Sequence, residues 1–86
     1  MKKYLFIELG IRNGEYEYEA KSLHISTCKN IWFTAYMWAI RFYAGNPYRM
    51  SKKDDCWYFY GGEVAVEVNK CEEITEAEYK VLRKFI

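Results

Sequence analysis

The feature that most limits the fold is an alternation of apolar and charged residues on either side of Asn13-Gly14, within residues 3–21. Strand side chains point to opposite faces in turn, so a period of two predicts strands with one buried and one solvated face. Asn-Gly is a favoured pair for a tight hairpin turn, because both residues accept positive φ at little cost. Pairing about it sets Ile11 opposite Tyr16, Leu9 opposite Tyr18 and Ile7 opposite Ala20 on the core face. Phe6, Glu8, Arg12, Glu15, Glu17, Glu19 and Lys21 then face outward, with Glu8 directly across from Glu19.

Residues 55–70 repeat the design about Gly61-Gly62, with Trp57 opposite Val66 and Phe59 opposite Val64 inside. Tyr58, Tyr60, Glu63, Ala65 and Glu67 point the other way. The second strands of the two hairpins read alike, which hints at a doubled ββα unit. Ser26 or Thr27 is the expected cap of a helix running to about residue 44, where Gly45 and Pro47 stop it. A second helix opens at Thr75, which forms a capping box with Glu78, and Ile74 and Tyr79 supply the hydrophobic staple. Its predicted inward residues are Tyr79, Leu82 and Ile86. The element order is therefore ββαββα. The expected fold is α+β, a four-stranded antiparallel sheet of two hairpins with both helices packed on one face. Leu5, Ile7, Leu9, Tyr16, Tyr18, Trp57, Phe59, Val64, Val66 and Val68 are the expected strand contribution to the core.

With 86 residues, 51% of them hydrophobic and 20% aromatic, the chain reads as one ordered domain over residues 1–86. Five glycines and one proline exclude collagen-like and linker classes. Thirteen Lys and Arg against 12 Asp and Glu leave a formal charge of +1, so a charged partner has to be met by a local patch. The N-terminal apolar stretch is too short for a signal-peptide core and Glu8 interrupts it. The most apolar run, residues 31–44, carries Thr34 and Arg41 and falls short of the roughly 18–20 residues that span a bilayer. Cys28, Cys56 and Cys71 include no close pair, which suits a reducing compartment. A cytoplasmic protein without membrane attachment is expected.

Chemistry is sparse. No phosphate-binding loop, dinucleotide fingerprint, nucleophile elbow or zincin helix occurs. His24, Cys28, Cys56 and Cys71 lack the paired short spacings of zinc modules, so neither metal nor cofactor is expected. His24 and Cys28, four residues apart, suggest thiolate chemistry but lack a third orienting group. Glu8 and Glu19 lie on an open sheet face, which does not raise a carboxyl pKa as an acid–base pair requires. No enzymatic activity is expected.

Contact surfaces remain. Tyr48, Arg49, Lys52 and Lys53 form a basic loop that, with Tyr58 and Tyr60, suggests a single-stranded nucleic-acid binder. The glutamates sharing that sheet face repel phosphates and argue against it. The favoured reading is a small non-enzymatic module working through protein contacts. Glu8, Glu17, Glu19, Glu63 and Glu67 around Tyr58 and Tyr60 would meet a basic protein partner. Trp32, Phe33, Tyr36 and Tyr43, on a first helix that is apolar over most of its circumference, would form a homodimer contact. The size and charge layout also suit a phage-type inhibitor of a host nucleic-acid machine, an analogy at that level alone.

Overall fold

The computed structural model describes residues 2–42, 49–51, 56–59 and 62–86, with the side chains of residues 49–51 left aside. The expectations for Tyr43, Gly45, Pro47, Tyr48, Lys52, Lys53, Tyr60 and Gly61, and for the Arg49 side chain, lie outside the described residues. The elements are β1 (Lys3–Asn13), β2 (Tyr16–Ser26), α1 (Ile31–Arg41), β3 (Arg49–Ser51), β4 (Cys56–Phe59), β5 (Val64–Ile74) and α2 (Glu76–Leu82). Strands β1, β2, β4 and β5 form the two expected hairpins in one antiparallel sheet of an α+β fold. The three-residue β3, in a stretch read as loop, adds a fifth strand at one edge, in the order β2-β1-β5-β4-β3.

β1 lies between β2 and β5, and its alternate residues Leu5, Ile7 and Leu9 are fully buried, with Ile11 2% exposed. Each such side chain removed from water stabilises the fold by about 1.5–3 kcal/mol. The first hairpin turns one residue later than expected, at Gly14-Glu15, which shifts the cross-strand pairing by two. Asn13 pairs with Tyr16, Ile11 with Tyr18 and Leu9 with Ala20, and Gly14 at φ 62° takes the left-handed turn position. Because the shift is by two residues, every side chain keeps its face. It does change the partners: Glu8 lies across from Lys21 and Glu19 across from Gly10, so the expected Glu8–Glu19 opposition does not occur. The second hairpin has the expected register, Trp57 with Val66 and Phe59 with Val64.

Helix α1 covers the core face. Ala35 and Ala39 are fully buried, and their small side chains let the helix lie close to the strands. The Cys71 thiol of β5 lies 3.6 Å from the Ile31 carbonyl oxygen, to which it donates, while the Tyr36 ring is 5.1 Å from that of Trp57 on β4. Toward β2, Trp38 meets His24 at 4.9 Å. The cap is Asn30, whose Oδ1 accepts from the Trp32 amide at 3.0 Å. Ser26 and Thr27 do not cap because β2 runs through Ser26; the Ser26 hydroxyl is instead 2.8 Å from that of Thr34.

The capping box of α2 forms as expected: the Glu78 amide donates to Thr75 Oγ1 at 3.1 Å, and the Thr75 amide to Glu78 Oε1 at 3.0 Å. The helix buries none of its residues, and Ile86 is 48% exposed. Its Tyr79 ring lies 5.0 Å from that of Tyr4, a residue that alternates away from buried Leu5. The packing of helices on the core face therefore rests on α1, and α2 reaches the outward side of β1. Tyr16 and Tyr18, expected in the core, are 78% and 45% exposed, because the hairpin tip extends past the cover that α1 provides.

Candidate functional site

Three rows of outward side chains cross the sheet beyond the reach of Tyr79. The first sets Glu8 between Lys21 and Lys70, the second runs Glu19, Gly10, Glu67 and Cys56, and the third Glu17, Arg12, Ala65 and Tyr58. A depression of about 680 Å³ lies over the last two rows, lined among others by Gly10, Ala65 and Cys56 and by Glu17, Glu19 and Glu67. Gly10 in the second row and Ala65 in the third, small side chains among long ones, produce the hollow, which Arg12 also lines. A register shift between Glu8 and Leu9 leaves Asn69 as an extra residue of β5. Its amide crosses to the neighbouring strand and donates to Glu8 Oε2 at 3.5 Å.

Charge divides this face. Lys21 Nζ stands 3.9 Å from both Glu8 and Glu19, so those carboxylates share one cation. Arg12 lies across from Glu17 in register. Among the described residues, neither Glu17 nor Glu67 has a cation within 4 Å, since the ion pairs beyond those of Lys21 comprise Lys80–Glu76 alone. Of the expected partner-binding residues, Glu17, Glu19, Glu67 and Tyr58 come together at the depression. Glu8 sits beside it, and Glu63 lies at the hairpin turn, where its carbonyl oxygen accepts from the Gly14 amide at 3.1 Å. Sequence reasoning missed Gly10 and Asn69. Gly10 had a signal, since a glycine inside a strand often marks a close approach; the bulge at Asn69 had none.

On α1, Trp32 is 39% and Phe33 55% exposed. Tyr36 packs against the core cluster and Trp57, so the described part of the expected self-association patch narrows to the first two. No disulfide joins the cysteines: Cys28 is half-buried, and Cys56 and Cys71 are buried. Burial pushes the Cys71 thiol up from its ordinary pKa, which disfavours a nucleophilic thiolate. Among the described residues, no three His, Cys, Asp or Glu side chains converge as a metal would need, and no helix is long and apolar enough to cross a membrane. No family model, curated protein or solved structure matches the chain.

Proposed function

We propose that the chain is a non-enzymatic binding module whose outward sheet face engages a basic protein. The observation that carries this reading is the pair Glu17 and Glu67, which border the depression without a cation within ion-pair distance among the described residues. Glu17, Glu19 and Glu67 outnumber Arg12, which also lines the depression, and such an excess of carboxylates on a rigid sheet steers a cationic surface toward it. Gly10 and Ala65, beside Arg12, leave room for a lysine or arginine side chain, and Tyr58 adds contact area with little rotamer entropy to lose. Carboxylates so arrayed also imitate phosphate charges, so the partner class that fits is a nucleic-acid-binding protein, which the module would block by competition. A phosphate chain on the same face would meet Glu17 and Glu67 directly, which disfavours nucleic acid as the ligand.

The test is affinity capture from the native host with the wild-type chain and the E17Q/E67Q variant side by side, read by mass spectrometry. The expected result is a basic protein retained by the wild type and lost from the variant. Identical retention by both chains contradicts the proposal.

A further inference from the structure

β2 forms one border of the sheet. It runs for 11 residues, pairs with β1 without a register shift and contains no proline. Among the described residues, no backbone hydrogen bond outside the strand ladders reaches it. An edge of this length is a template for another strand, and chains ordinarily blunt such edges with a bulge, a proline, an early end or charged side chains. β2 carries charges of both signs, Glu17, Glu19 and Lys21, which repel most strands but can pair with those of an identical one. Here the bulge is on β5, inside the sheet.

The turn geometry fixes which groups face outward. Asn13 and Tyr16 flank a two-residue turn as a hydrogen-bonded pair, so Tyr18, Ala20 and Ser22 bond inward to β1. Glu17, Glu19, Lys21 and Leu23 then direct their amide and carbonyl groups away from the sheet. An antiparallel copy of β2 has to match these residues with one another. With the two-fold axis at Ala20, Glu19 faces Lys21 of the second copy and Lys21 faces its Glu19, giving two opposite-charge pairs. An axis at Glu19 sets Glu19 against itself at the centre, between two Glu17–Lys21 pairs. An axis at Lys21 sets Lys21 against itself, and one at Tyr18 sets Glu17 against Glu19, so the Ala20 axis alone among these pairs opposite charges with no like-charge pair. An axis at Ser22 leaves Lys21 opposite Leu23, with no ion pair. The Ala20 register also places the smallest side chain of the segment at the axis, where opposed side chains approach most closely. On the core side it lays Tyr18, 45% exposed, against Ser22 of the other copy. Lys21 has the freedom to change partner, since its side chain is 51% exposed and held only by contacts of 3.9 Å.

We propose that a second copy of this chain docks on β2, antiparallel and centred on Ala20, so that two sheets become one continuous sheet about a two-fold axis. This contact shares Glu19 with the rim of the acidic depression and does not use the Trp32–Phe33 surface.

Charge reversal tests the register. Light scattering after size exclusion at about 50 μM, within the range of modest interfaces, should give twice the 10.4 kDa chain mass for the wild type. K21E alone and E19K alone should each read as monomers, because each places like charges opposite at both central pairs. Mixed in equal amounts, they should form a heterodimer by native mass spectrometry, since every central pair is again opposite in charge. A W32S/F33S variant should remain dimeric. The proposal is overturned by a monomeric wild type, by dimers that survive either reversal, by a mixture without heterodimer, or by loss of the dimer in W32S/F33S. The mixture also controls for folding, because a reversal variant that had lost its fold has no edge to offer.

Discussion

An added Cβ at Gly10 would lie 2.8 Å from the Asn69 amide nitrogen and 2.9 Å from its oxygen, too close for either atom to stay in place. The obstacle is the end of an exposed side chain, so it can yield. Gly10→Ala should therefore alter stability by less than about 1 kcal/mol, because the gain from restricting the unfolded chain offsets the displaced Asn69 contact. The double change Gly10→Ala with Asn69→Ala should exceed the single one in urea unfolding, a coupling expected only of neighbours. His24 concerns the other face. Its Nε2 is buried with no hydrogen-bond partner among the described residues, and burial holds its pKa below the ordinary 6.5. The unfolded chain then binds a proton that the folded chain resists. This contribution to stability is complete above pH 6.5 and is lost as pH falls below it toward the folded pKa. The urea midpoint should drop between pH 7.5 and pH 5.5, and His24→Phe should flatten that drop. Glu78 acts in a lower window. Its hydrogen bonds from Thr75 depress the carboxyl pKa from 4.5, so the capping box weakens as pH falls below that value.

The two helices answer to different causes. α1 is held by packing, with Ala35 and Ala39 buried against the sheet, whereas α2 is held by its own first turn and the Tyr79–Tyr4 ring contact, with none of its residues fully buried. Thr75→Ala removes a cap of about 1 kcal/mol, and the loss should appear in amide exchange of α2 while the global unfolding midpoint moves far less. Equal shifts in both measurements would mean that α2 unfolds with the sheet. Capping explains why α2 was legible in the sequence: Thr75 and Glu78 lie three residues apart and interact with no help from the rest of the chain. The start of α1 was not legible, because Ser26, Thr27 and Asn30 are all good caps. The choice among them depends on how far β2 pairs with β1, a contact between distant residues. The first hairpin has a related ambiguity. Asn13-Gly14 as the turn and Gly14-Glu15 as the turn give every side chain the same face, so alternation cannot separate them. The pairing of Glu8 with Lys21, which replaces a like-charge pair by an ion pair, agrees with the turn adopted.

At the scale of the molecule, the sheet keeps two unlike faces apart. One meets α1 through Leu5, Ile7, Leu9, Ile11 and Val66, and Leu9→Ala there should cost about 2–5 kcal/mol in denaturant unfolding, since a fully buried site leaves a cavity. The other face carries the acidic depression. Period-two alternation made both faces legible, which is how Glu17, Glu19, Glu67 and Tyr58 were grouped from sequence. Strand order was not legible, because the pairing of β1 with β5 joins residues some 60 positions apart and no local signal encodes it. The hollow depends on that order, for it lies where Gly10 of β1 pairs with Glu67 of β5 and Arg12 of β1 with Ala65 of β5. The claim that this hollow is the contact surface is tested most directly by titrating the isotopically labelled chain with a lysine- and arginine-rich peptide and following backbone amide shifts. The account predicts salt-sensitive shifts concentrated at Gly10, Glu17, Tyr58, Ala65 and Glu67; shifts centred on Trp32 and Phe33, with the sheet face unmoved, would contradict it.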